Sequence, residues 1–203
     1  MRTLATSLVS LAVLTAPVSV HAQTSVVGGL AGRVTSVQLR ERGEDSAERS
    51  GFLVGAYVDA VTPAPFLHVL AEASYVQRGG RLTLTGTEQP LGDVQADYLM
   101  VMVAPSLRFG VGPVALLGYA GPVLEFPLRT RSVAELGNLY ATPNEQVFSV
   151  AAGAGLEGDL GSWIVRGEVR MVRQLSSAYA NLDRDIKHKS TEILVRLGRP
   201  RRR

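Results

Sequence analysis

Apolar and polar residues alternate along residues 97–126, and the alternation has the period of a β-strand. A turn of three residues, Gly110-Val111-Gly112, joins the two halves of this stretch. A period of two is typical of a strand, and about ten residues is the length with which a tilted strand crosses a bilayer. The stretch therefore predicts a membrane-spanning β-hairpin. In its first half, Leu99, Val101, Val103, Pro105, Leu107 and Phe109 share one parity, and Tyr98, Met100, Met102, Ala104, Ser106 and Arg108 share the other.

Eight strand-like segments of this kind follow one another along the chain. The connections between them alternate between long and short, which is how outer-membrane barrels separate extracellular loops from periplasmic turns. We therefore predict an all-β fold, an eight-stranded antiparallel transmembrane β-barrel with long extracellular loops and short periplasmic turns. The predicted strands are 26–37, 51–61, 66–77, 97–109, 113–124, 146–157, 162–173 and 190–197, and the long connections are 38–50, 78–96, 125–145 and 174–189.

The ends of the chain differ in composition from the predicted barrel. Residues 1–22 carry Arg2, an apolar run and a Val-His-Ala site, which together are typical of a cleaved secretory signal peptide. The predicted division is a signal peptide over 1–22, an outer-membrane β-barrel domain over 23–198 and a basic tail over 199–203. We expect secretion across the inner membrane and insertion into the cell outer membrane.

Charge and cysteine content exclude several other classes of protein. The 203 residues contain no cysteine, so neither a disulfide nor a lipid-modified N-terminal cysteine is available. The net charge is +3, and four of the positive charges, Arg199 and Arg201 to Arg203, lie in the tail. Without that tail the chain is not basic, so the charge does not predict a nucleic-acid partner.

The charged residues of the predicted strands fall mainly on the parity opposite the apolar one. Because the interior of an eight-stranded barrel is only wide enough for side chains, inward charges must pair, and we predict a neutral polar plug. The predicted inward charges are Arg33, Arg108, Arg166, Arg170 and Arg196 with Asp59, Glu72, Glu157, Glu168 and Glu192. Glycines are expected to make room for them, at Gly29, Gly55, Gly118, Gly153, Gly155 and Gly167, and aromatic girdles are expected from Phe52, Tyr75, Phe148, Phe109 and Trp163.

Several local motifs are shared with one family of small barrels. They are Ala71-Glu72-Ala73-Ser74-Tyr75-Val76-Gln77-Arg78-Gly79, Asp97-Tyr98-Leu99 with Pro105-Ser106-Leu107, Gly112-Pro113 through Gly118, and 148–157. In these motifs the chain resembles the PorT-like or outer membrane protein beta-barrel domain family, whose barrels are related in shape to those of OmpX and OmpA. The resemblance implies an outer-membrane location and usually no enzymatic activity, and some members of the family serve protein secretion.

These observations predict a non-enzymatic outer-membrane barrel that is structural or binds partners through its loops. We predict no catalytic, cofactor-binding or metal-binding residues. The expected partners are outer-membrane lipids, the barrel assembly machinery during biogenesis, and an extracellular or secretion-system protein bound through the loops 78–96 and 125–145. The second loop is the more apolar one, with Leu128, Val133, Leu136, Leu139 and Tyr140.

Two alternatives remain open from the sequence. His188, Ser190 and Glu192 share one parity at the start of the last strand, so a lipid A-modifying hydrolase using His188 and Ser190 is possible. The second alternative is a soluble lipocalin-like binding barrel, in which the apolar parity would face inward around a ligand. Strand alternation alone does not say which face is inside.

Three further motifs are better explained without a ligand. Residues 153–158 match the GxGxxG fingerprint, but a turn and a strand follow where a nucleotide site needs a helix. His68 and Glu72 are separated by roughly 13 Å along a strand, too far to share a metal ion, so a pairing of His68 with an interior carboxylate is expected instead. Asn181, Asp183 and Asp185 alternate like calcium ligands, but Ile186 replaces the required glycine.

Overall fold

A computed structural model describes residues 25–40, 47–83, 90–131, 144–178 and 186–201. The predicted signal peptide, the apolar side chains between 133 and 140, the Asn181 to Asp185 motif and the last two arginines lie outside these ranges. Within them the chain forms eight strands: β1 (Ser25–Arg40), β2 (Arg49–Val61), β3 (Leu67–Thr83), β4 (Pro90–Val111), β5 (Val114–Arg131), β6 (Val147–Leu160), β7 (Trp163–Gln174) and β8 (Ile186–Arg201).

The eight strands form one closed antiparallel barrel. Each strand pairs with the next along the chain, and β8 pairs back with β1 from Ser25 opposite Arg201 to Arg40 opposite Ile186. Closure gives each strand a hydrogen-bonded neighbour on both sides within the barrel, while the ends of β3 after Val76 and of β5 after Glu125 pair with β4 alone. The predicted eight-stranded antiparallel barrel is therefore confirmed. No helix among the described residues has the length and hydropathy needed to cross a membrane.

The two faces of the barrel wall have opposite chemistry. On β4, Leu99, Val103 and Leu107 are exposed on the outside, whereas Met100 and Met102 are buried in the interior. The lumen also contains the buried arginines and carboxylates, so the apolar parity faces outward. This arrangement is the reverse of a lipocalin-like barrel with an apolar cavity, and that alternative is wrong.

The predicted aromatic residues all lie on the outer face. Phe52 and Phe148 are half exposed near the starts of β2 and β6, and the Phe52 ring contacts that of Tyr75 at a centroid distance of 5.6 Å. Phe109 and Trp163 lie at the opposite end of the barrel, near the connections at 112–113 and 161–162. The positions match two girdles at the two ends of the apolar surface.

Four strands are at least five residues longer than the alternation predicted, and one of them is β8, which runs from Ile186 to Arg201. β3 continues to Thr83, β4 begins at Pro90 and β5 continues to Arg131, so much of the predicted loops 78–96 and 125–145 is β-structure. The strands pair with one another beyond the apolar segment, as Gly80 opposite Val94 and Gln95 opposite Arg131 illustrate. The alternation of apolar and polar residues did not predict this extension, because hydrogen bonding between the strands continues where the apolar alternation stops.

An arginine placed in the middle of the apolar outer surface should destabilise the barrel far more than one placed at its end. Ala154 is exposed on the outer face in the middle of β6, and Gln146 is exposed immediately before that strand. We expect Ala154→Arg to lower the free energy of unfolding by about 2–4 kcal/mol and Gln146→Arg by at most about 1 kcal/mol. Denaturant titration of barrels refolded into lipid vesicles measures both. Equal effects of the two substitutions would contradict the assignment of the outer face to lipid.

Candidate functional site

The lumen holds a continuous set of charged side chains, and this set is the candidate functional site. Ten of the eleven side chains are buried, and only that of Arg108, at 35% exposure, reaches a mouth of the barrel. Within the described ranges the basic members are Arg78, Arg108, Arg166, Arg170 and Arg196, and the acidic members are Asp59, Glu72, Glu125, Glu157, Glu168 and Glu192.

Arg170 on β7 lies at the centre of the set and bridges two carboxylates. It donates from Nη1 to Glu72 Oε2 at 2.8 Å and from Nε to Glu192 Oε2 at 2.6 Å. Arg196 on β8 also donates to Glu72 Oε2, at 2.7 Å, and to Glu168 Oε1 at 2.8 Å. Both arginines are paired on two sides, which is the condition under which buried charges are tolerated.

The network continues toward the end of the barrel where the long connections lie. Arg78 on β3 donates to Glu192 at 3.0 Å and also binds Glu125 on β5. Glu125 in turn accepts hydrogen bonds from Gln174 at 2.7 Å and Ser149 at 3.0 Å. Five strands, β3, β5, β6, β7 and β8, are therefore joined through one interior cluster.

A second cluster lies toward the end with the short connections. Arg166 on β7 binds both Asp59 and Glu157, and Arg108 also binds Glu157. His68 completes this cluster, with its Nδ1 atom 2.9 Å from Asp59 Oδ1. The predicted pairing of His68 with an interior carboxylate is confirmed.

An aromatic ring separates the two clusters. The Tyr57 ring lies 5.5 Å from the guanidinium of Arg166 and 5.1 Å from that of Arg196. Both distances are within the range of a cation–π contact. The Tyr57 ring therefore lies between the two clusters and contacts one arginine of each without adding charge. Among the described residues, the interior charges run from Arg108 at one mouth to Arg78 and Glu125 near the other.

The lumen also requires small residues, but only some of the predicted glycines provide space there. A Cβ atom on Gly153 would lie 2.6 Å from Cζ of Tyr119, whose hydroxyl donates to Glu168 at 2.9 Å. A Cβ atom on Gly155 would lie 2.7 Å from Cγ of Glu168. Three other predicted glycines, Gly29, Gly118 and Gly167, have the outward parity, so the prediction is wrong for them.

The predicted inward charges need two corrections. Arg33 is exposed on the outer face of β1 and donates to Ser50 Oγ at 3.0 Å, so it is not one of the interior charges. Arg78 and Glu125 are fully buried in the lumen, although the sequence placed both in loops. The signal that could have found them is parity, because Arg78 continues the alternation of Glu72, Ser74 and Val76 on β3.

His188 and Ser190 both face the lumen, but they do not form the hydrogen bonds of a catalytic triad. The Ser190 hydroxyl donates to Glu192 at 3.1 Å, and neither ring nitrogen of His188 has a hydrogen-bond partner among the described residues. Glu192 is held by Arg78 and Arg170 rather than by the histidine. A triad needs a serine bonded to the histidine and a carboxylate that orients the histidine, and this arrangement provides neither.

The remaining motifs have structural explanations. Residues 153–158 lie within β6, so no helix follows these glycines to bind a pyrophosphate, as expected. Among the described residues, no group of three or more histidine and acidic side chains is placed to hold a metal ion.

The barrel resembles solved structures of small outer-membrane proteins. The outer membrane protein OprG from Pseudomonas aeruginosa matches with a TM-score of 0.58 at 11% identity, over 90% of this chain and 97% of that one. Neisserial surface protein A matches with a TM-score of 0.51 at 8% identity, over 84% of this chain and 96% of that one. No protein-family model and no curated protein matches the sequence. The likeness establishes the fold, an eight-stranded barrel of the outer-membrane type, while the predicted PorT-like membership stays a prediction.

Removing one carboxylate from the centre of the network should be costly. Glu192→Gln leaves Arg170 and Arg78 with less charge compensation in a buried site, and we expect the free energy of unfolding to fall by about 3–5 kcal/mol. Glu145→Gln, at an exposed position before β6, is the matched control and should change it by less than about 0.5 kcal/mol. Denaturant titration in vesicles measures both. A neutral Glu192→Gln would mean that the network does not support the barrel.

Proposed function

We propose that this chain is a non-enzymatic outer-membrane barrel with a closed lumen, which presents a rigid β-arm and its loops to partners outside the cell. The arm comprises the ends of β3, β4 and β5 beyond the apolar surface. The observation that carries the proposal is strand length: these strands have 17, 22 and 18 residues, whereas a bilayer crossing takes about 9–11.

The outer face of β4 marks where the arm begins. From Leu99 to Phe109 the outward residues are apolar, and this segment has the length of one crossing. Beyond it the side chains form a polar cluster, in which Gln95 donates to Asp97 at 2.9 Å and Arg49 donates to Gln95 at 2.8 Å. Residues 90–98 thus extend the sheet away from the short connections, and this supports an arm in the aqueous phase.

The filled lumen supports a role without conduction. Leu53, Leu70 and Leu194 are at most 1% exposed inside the barrel, beside the paired charges. A pore requires water along its length, whereas here arginines from one wall reach carboxylates on the opposite wall, as Arg170 does to Glu72. The same pairing supports a role without catalysis, because Glu192 and Ser190 are engaged in the network.

The proposal also includes protein partners. An extracellular or secretion-system protein would meet the arm and the residues 132–143 that follow β5, and the assembly machinery would act during insertion. The outward apolar surface provides the lipid contact.

The orientation can be tested by protease accessibility on intact cells. A protease site inserted between residues 136 and 137 should be cut by protease added outside, because the proposal places this connection at the cell surface. The matched control is the same site inserted between Gly161 and Ser162, which should be cut only after the outer membrane is permeabilised. Heat-modifiable migration on SDS gels verifies that both variants are folded. The reverse pattern of cleavage would overturn the orientation, and cleavage of neither would overturn surface display.

The closed lumen can be tested by ion flux. Vesicles containing the wild-type barrel should leak no faster than empty vesicles, because the proposal has the paired side chains close the lumen. The double variant Glu72→Ala/Arg196→Ala removes a pair together and should give a measurable leak, whereas the double variant Arg129→Ala/Glu145→Ala on the exposed surface should not. Stable conductance of the wild-type barrel would refute the proposal of a closed lumen.

A further inference from the structure

We propose that the outer face of β7, β8 and β1, at the end opposite the short connections, binds the phosphate group of an anionic lipid. The inference rests on the membrane placement proposed above. It is carried by an outward-facing group at the boundary of the apolar surface, which we call the rim patch: the cations Arg173 and Lys189, with the hydroxyls of Thr35 and Thr191.

The rim patch lies at one boundary of the apolar surface. On β8 the outward residues Ile193, Val195 and Leu197 are exposed and apolar, and the next outward residues in the two directions are polar, Thr191 and Arg199. At the far end, the Arg199 guanidinium lies 4.0 Å from the centre of the Trp163 ring, an arrangement suited to a membrane interface.

The spacing along β8 matches the thickness of an outer membrane. Lys189 and Arg199 are ten residues apart on a continuous strand, which corresponds to about 33 Å along it. A strand tilt of about 40° reduces this distance to about 25 Å along the membrane normal, the height of the apolar band of such barrels. Lys189 therefore lies at the depth of lipid head groups when Arg199 lies at the opposite interface.

Like charges face each other in the patch. Arg173 on β7 is directly opposite Lys189 on β8, and both side chains are exposed. Two cations in this position repel each other, and neither side chain has an ion pair or hydrogen bond with another residue of the described ranges. A bound anion relieves the repulsion, since it can accept hydrogen bonds from both.

A groove beside Lys189 has room for the anion. It has a volume of about 370 Å³ and is lined by Thr35, Val37, Glu48, Lys189, Ser190 and Thr191. Thr35 and Thr191 are directly opposite each other on β1 and β8, so two hydroxyl donors face the same space. Glu48 is the acidic side chain of the lining, and two cations outnumber it: Lys189 in the lining and Arg173 directly opposite Lys189 on β7.

The chemistry of the surroundings favours a lipid over a soluble anion. The apolar side chains of Met171 and Ile193 lie immediately below the patch, where acyl chains attached to the phosphate would pack. Hydroxyl and cationic donors above an apolar surface match a lipid with a phosphate on its head group. At the depth of the loop-side leaflet of an outer membrane, a phosphorylated glycolipid such as lipid A has this chemistry.

Native mass spectrometry of the purified barrel with lipid A tests the proposal. We expect bisphosphorylated lipid A to bind the wild-type barrel, and the double variant Arg173→Gln/Lys189→Gln to bind it about 30-fold more weakly, because each cation near an anionic surface contributes about a factor of five. The matched control Arg129→Gln/Arg131→Gln removes two exposed cations from β5 and should bind like the wild type. Heat-modifiable migration of each variant verifies that the barrel is intact.

Three outcomes would overturn the site. Equal losses in the two double variants would mean that only overall charge attracts the lipid. Equal binding of dephosphorylated lipid A would mean that the phosphate is not recognised. Displacement of lipid A by inorganic phosphate at the same concentration would mean that the patch binds a soluble anion. A barrel that keeps its heat-modifiable shift and its protease pattern while failing these tests leaves the proposed function intact, so the two failures can be told apart.

Discussion

The charged side chains inside this eight-stranded barrel must pair with one another, because such an interior is only about wide enough for side chains. Eight strands enclose a space that side chains fill, so every guanidinium placed there must find a carboxylate on another strand. Arg170 illustrates the consequence, since it links β7 to Glu72 on β3 and to Glu192 on β8. Pairing across the lumen, rather than apolar packing alone, holds opposite walls at a fixed distance.

This interior accounts for the chemistry of the outer face. Because charged groups occupy the lumen, the apolar parity is left for the outside, and the barrel exposes Val103, Val169 and Val195 there. Such a surface is stable in lipid, because apolar side chains in contact with acyl chains carry no free-energy penalty for exposure to water. The interior network and the apolar exterior are thus two results of one alternating pattern.

The alternation allowed the fold and the centre of the network to be predicted, because charges there occur on a single parity. The charged residues Arg166, Glu168 and Arg170 alternate with Val165, Gly167 and Val169. The sequence of β7 therefore shows unambiguously which of its side chains share the charged face. β1 lacks this contrast. Its inward residues Val26, Leu30 and Val34 are apolar, and most of its outward residues are apolar as well. The sequence therefore did not indicate that Arg33 faces outward.

Features that depend on a partner strand could not be predicted in the same way. Gly153 is needed because Tyr119 lies directly opposite it, and this register is visible only in the folded barrel. Arg78 and Glu125 were placed in loops because the apolar alternation ends near them, although β3 and β5 continue. Their place in the network follows from the hairpin pairing that extends the sheet, which is a long-range property of the chain.

The boundary residues of the outer face connect the depth of the barrel to the lipid around it. Arg199 with Trp163 at one end and Lys189 with Arg173 at the other delimit the apolar surface of β7 and β8, so a vertical displacement would bury a cation in hydrocarbon. Cations that resist displacement in this way must lie among head groups, where phosphates are available. The groove lined by Thr35 and Thr191 lies at this level, so the residues that fix the position of the barrel are also those placed to bind an anionic lipid.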